Sequence, residues 1–65
     1  KEKLLTERET IILKYLIDGL TINASAERLI ISRHTVDTHT KNIYKKLHVH
    51  NRSSLVSTAI KKGLV

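Results

Sequence analysis

The 65-residue sequence contains no cysteine and no proline, and its only aromatic residues are Tyr15 and Tyr44. Without thiols there is no disulfide to staple a small fold and no thiolate to hold a metal, so stability must come from helix packing. Without proline, and with glycine only at positions 19 and 63, the chain has little punctuation and reads as nearly all helix. Two tyrosines are too few for the stacking platforms that readers of single strands and RNA use. No apolar run approaches the ~20 residues needed to cross a bilayer, and the first residues do not form a secretory signal, so a soluble, cytoplasmic protein is expected with no membrane partner. A chain this short buries only about 60% of its unfolded surface, too little to enclose a deep catalytic cleft.

Positive charge is what the sequence has in excess. It carries 12 Lys/Arg against 6 Asp/Glu. Residues 1–32 are balanced, five against five, whereas residues 33–65 hold seven cations and Asp37 alone, so the whole +6 lies in the second half. Such asymmetry points to a polyanionic partner. With the stacking readers disfavoured, duplex DNA is the better candidate.

Spacing and capping residues predict four helices. Thr6 followed by Glu9 matches a capping box that opens a first helix over Glu7 to Asp18, with Ile12, Leu13 and Leu16 inward and Gly19 ending it. Thr21 caps a second, short helix with Ile22, Ala26 and Leu29 on its inward face. Ile30-Ile31-Ser32 is too short for anything but a tight turn, in which Ile31 plugs the core and Ser32 caps the third helix, Arg33 to Leu47. His48-Val49-His50 connects to a fourth helix capped by Asn51, whose apolar positions are Leu55, Val56, Ala59 and Ile60. The expected fold is therefore all-α, a compact four-helix domain in which helix four packs across the others.

The third helix has two faces. Val36, Ile43 and Leu47 form an apolar stripe, while His34, Asp37, Thr38 and Lys41 point elsewhere. In the major groove Lys41 would donate to guanine O6 and N7, Thr38 would set its methyl against a thymine methyl, and Asp37 would accept from a cytosine N4 amine, with His34 at the entry. A carboxylate so near phosphate gains only where cytosine is correctly placed; the alternative is that Asp37 serves the first turn of its own helix and sees no base. Phosphate contacts are expected from Thr21, Arg33, Thr35, Lys45, Lys46 and Arg52.

Several spaced motifs agree with one known family. Leu5-Thr6-Glu7-Arg8-Glu9, Gly19-Leu20-Thr21, Ala26-Glu27-Arg28-Leu29, Ile31-Ser32, His34-Thr35-Val36-Asp37-Thr38-His39, Lys46-Leu47 and Asn51-Arg52 together resemble the LuxR-type (NarL/FixJ, GerE) helix-turn-helix domain over essentially all 65 residues. The resemblance implies that helices two and three form the helix-turn-helix and that the third helix lies in the major groove of double-stranded DNA. It also implies a transcription regulator that binds as a homodimer through helix four and has RNA polymerase as a further partner. For that contact Val56, Ala59 and Ile60 are the candidates. Such domains sit behind a receiver or a small-molecule-sensing domain, and a chain opening on Lys1-Glu2-Lys3 without methionine is expected to be the carboxyl-terminal piece of a longer regulator.

Four positions depart from the family pattern: Ala24 stands where a Glu is frequent, Ser25 where an apolar residue is usual, Asp37 where a basic residue is frequent, and His48 where glycine is frequent. Ile22 is expected to fill what Ser25 gives up, and His48 is expected to need a positive φ.

Other functions fit less well. The four histidines lack metal-ligand spacing: His34 and His39 are five apart, and no His-Glu-x-x-His occurs. No phosphate-cradling glycine loop and no nucleophile with a base and an orienter is present, so neither an enzyme nor a cofactor is expected. A sigma-factor-like promoter-recognition domain would lack the opening motif and the Asn51-Arg52 start of helix four. A basic helical module docking on an acidic protein is the remaining rival.

Overall fold

Every helix begins at a side chain that accepts a backbone N–H three residues on, and these caps fix where the chain turns helical. In the computed structural model, which describes residues 4–64, Thr6 accepts from Glu9, Thr21 from Ala24, Ser32 from Thr35 and Asn51 from Ser54. All four capping residues are extended, leaving the first turn of each helix to start cleanly behind them. The helices are α1 (Glu7–Ile17), α2 (Ile22–Leu29), α3 (Arg33–Leu47) and α4 (Arg52–Lys61). Among the described residues there is no strand.

The helices also end alike. Gly19, Ile30, His48 and Gly63 are all left-handed, with φ of +90°, +55°, +55° and +68°. At each, the following residue donates its N–H five residues back: Leu20 to Tyr15, Ile31 to Ala26, Val49 to Tyr44 and Leu64 to Ala59. This is the closing motif that returns an apolar side chain toward the helix it terminates. Val49 is buried by it, and Ile31 and Leu64 pack on the rim of the core.

The core collects one stripe from each helix: Ile12, Leu13 and Leu16 of α1, Ala26 of α2, Val36, Ile43 and Leu47 of α3, and Leu55 and Ala59 of α4, closed by Leu5 and Val49. α3 lies centrally, packing most heavily on α1 and α2 and more lightly on α4. Tyr15 at the margin of α1 carries the Arg28 guanidinium 5.7 Å from its ring centroid, which ties α1 to α2.

Three expectations change. α1 ends at Ile17, and Asp18 serves as its cap rather than its last turn. On α2 the fully buried residue is Ser25, while Ile22 is only half-buried against the core, so Ile22 does not take over Ser25's place. Ala59, expected at a subunit contact, is fully buried because it lies four residues beyond Leu55 on the same inward line. It belongs to this chain's own core.

Candidate nucleic-acid interface

Burying Val36, Ile43 and Leu47 fixes the rotation of α3 and leaves its other side facing solvent. Arg33, Asp37, Lys41 and Lys45 recur at every fourth position and so form one ridge along the helix. Within it the Lys41 ammonium lies 3.3 Å from the Asp37 carboxylate. The Asp37 carboxylate therefore faces a side chain one turn on, toward the carboxyl end, rather than the N–H groups of the first turn.

Open grooves flank the ridge. Beside the start of α3, Arg33, His34 and Asp37 share a groove with Ile22 of α2. Toward its end, Lys41 and Lys45 share a groove of about 490 Å³ with Thr40, Tyr44, His48, Val49 and His50. That second groove contains no carboxylate. Tyr44 is a member that the sequence reading did not single out; its position three residues beyond Lys41 was the available signal.

The remaining proposed base readers are exposed. His34 stands at the first turn of α3, and Thr38 donates its hydroxyl to the His34 carbonyl at 3.1 Å. That bond occupies the Thr38 hydroxyl and leaves its methyl as the group available for an apolar contact.

The expected phosphate contacts divide into two sets. Arg33 and Lys45 are exposed cations with no carboxylate partner among the described residues. Thr21 and Thr35 lie exposed at helix starts, where Thr21 caps α2 and the Thr35 hydroxyl is 2.8 Å from that of Ser32. Lys46 and Arg52, by contrast, are turned to internal work. Lys46 Nζ donates to Glu9 Oε1 at 2.8 Å, and Arg52 Nη1 donates to the Leu16 carbonyl at 2.9 Å. Both ends of the segment between α3 and α4 are thereby fastened to α1, and both cations, expected as phosphate contacts, are engaged within the fold.

Glu9 is the other half of the first brace, a role its capping position did not announce. It is 4% exposed and also accepts the Thr6 N–H at 3.0 Å. Burial alone pushes its carboxyl up, but the Lys46 and Thr6 hydrogen bonds and the charges of Lys46 and His39 outweigh that and hold it below the ordinary glutamate range.

Among the described residues no group of three or more His, Cys, Asp or Glu comes together to hold a metal ion, and no helix is long and apolar enough to cross a membrane. On α4, Ile60 is 62% exposed and Val56 is half-buried, leaving these two of the three expected dimer residues near the surface.

The chain and its fold have close counterparts. The chain is 47% identical over 60 residues to the uncharacterized response regulatory protein YgeK of Escherichia coli (strain K12), covering 92% of this chain and 41% of that protein. It is 48% identical over 56 residues to the CsgBAC operon transcriptional regulatory protein of the same strain, covering 86% and 26%. Among solved structures it superposes on the response regulator ChrA of a heme-sensing two-component system with a TM-score of 0.90 at 38% identity, covering 100% of this chain and 32% of ChrA. The chain thus spans less than half the length of these relatives. A family profile described as bacterial regulatory proteins, luxR family (GerE) matches residues 3–59, and with the helix order and the α2–α3 corner this places the chain in the luxR family, as its helix-turn-helix DNA-binding domain.

Proposed function

We propose that this domain binds double-stranded DNA sequence-specifically, with α3 in the major groove, and thereby regulates transcription in the bacterial cytoplasm. The ridge of Arg33, Asp37, Lys41 and Lys45, on the outer side of a helix whose opposite face is locked in the core, is the observation that carries this reading. His34, Asp37, Thr38 and Lys41 are directed at base edges, while Thr21, Arg33, Thr35 and Lys45 position the domain on phosphates. One such domain makes few contacts, so two copies on half-sites about one helical turn apart supply the affinity, with Ile60 and Val56 at the contact between them. RNA polymerase is the further partner that such a regulator engages.

Titrating isotope-labelled protein with duplex at several salt concentrations tests this directly. The α3 ridge amides are expected to shift, and log K is expected to fall linearly with log salt. Unmoved α3 signals, or an affinity indifferent to salt, would overturn the reading and favour an acidic protein as the partner.

A further inference from the structure

Asp37 is the only Asp or Glu in residues 33–65, and it sits inside a row of α3 that is otherwise cationic. Its neighbours on that row are Arg33 one turn before and Lys41 one turn after, with Lys41 at 3.3 Å. The two side chains retain 45% and 77% of their surface, so the pair lies open to solvent and separates readily. Near DNA this arrangement has a consequence that neither residue has alone. If Lys41 leaves to meet a phosphate or a base, Asp37 is stranded among phosphates. A carboxylate there is repelled by every duplex unless a base amine donates to it.

We propose that Asp37 and Lys41 form a coupled reader: the pair opens productively only on a duplex that offers an exocyclic amine, cytosine N4, to Asp37 while guanine O6 and N7 accept from Lys41. The proposal rests on α3 reading the major groove and specifies which sequences it accepts. One turn of helix separates the two residues by ~6 Å along the axis, so the two bases lie within roughly two steps of ~3.4 Å. Asp37 thus converts a ridge that would bind any DNA into one that discriminates, at the expense of overall affinity.

Selection of bound oligonucleotides from a randomised duplex pool, run with the native chain, Asp37→Asn and Asp37→Ala, tests this. The native chain is expected to enrich a cytosine close to a guanine, with a preference of roughly 5- to 150-fold at the cytosine position. Asp37→Asn is expected to exchange that cytosine for adenine, whose N6 and N7 suit an amide, and Asp37→Ala to lose the preference while binding unrelated duplex more tightly than the native chain. If both variants enrich the native sequence with the native preference, Asp37 is only a helix-stabilising partner of Lys41 and the proposal falls. If the native chain enriches nothing over the input, the major-groove reading itself is wrong and the coupling falls with it.

Discussion

Ser25 and Ile30 both work against the fold they belong to. The Ser25 hydroxyl is fully buried and has no hydrogen-bond partner among the described residues. An orphaned hydroxyl of this kind costs about 1–3 kcal/mol. Ser25→Ala removes it and favours the helix, and is expected to raise the free energy of unfolding by about 1 kcal/mol in a urea titration with an unchanged m value; a decrease would mean that the hydroxyl is bonded after all. Ile30 is β-branched, left-handed and 91% exposed, so its side chain buries almost nothing to offset the steric strain. Ile30→Gly is expected to raise the thermal midpoint, by an amount worth about 1 kcal/mol, with Ile30→Val close to the native chain as the control. The family resemblance implies the equivalent demand at His48, where it places a frequent glycine. At Ile30 it is hidden: in a run of apolar residues, nothing distinguishes the one that must turn outward.

At the scale of elements, helix starts were legible because each cap is local, a Thr, Ser or Asn three residues before the N–H it accepts. Helix ends were mostly legible: Gly19 and Gly63 announce themselves and His48 was expected to turn left-handed, whereas Ile30 adopts the same turn with no local signal, as Ile31 packs against the core. The joint between α1 and α3 was not legible, since Glu9 and Lys46 lie 37 residues apart and each has a sufficient local explanation, one as a capping partner and the other as a basic residue near a helix end. That joint sets how α3 is held. It also makes stability depend on acid. Because the folded protein holds the Glu9 carboxyl below its unfolded value of ~4.3, its contribution is complete above that pH and is lost as pH falls through the folded value. Glu9→Gln removes this dependence. Denaturation curves measured across this range are expected to show the variant about 1–2 kcal/mol less stable at neutral pH and converging on the native chain in acid; parallel curves would mean that the carboxyl gains nothing from Lys46.

For the molecule as a whole, the uneven charge was visible in the sequence, but the division of labour among the cations was not. The sequence reading assigns Arg33, Lys45, Lys46 and Arg52 alike to phosphates. The folded chain instead turns Lys46 to Glu9 and Arg52 to the end of α1, and leaves Arg33 and Lys45 as exposed cations without carboxylate partners among the described residues. The same three-dimensional sorting removes Ala59 from the surface of α4, because which of several adjacent apolar residues faces inward depends on how that helix is rotated against α3. The sorting of the cations can be measured through salt. Each phosphate neutralised contributes about 0.9 to the slope of log K against log salt, so Lys45→Ala is expected to weaken binding to all duplexes about equally and to flatten the slope by roughly 1. Lys46→Ala is expected to leave the slope close to native while lowering the unfolding free energy, because its ammonium already has the Glu9 carboxylate as a counterion and deleting it strands a buried charge. A slope that falls equally for both variants would show that DNA pulls Lys46 away from Glu9, and that the brace opens when the domain binds.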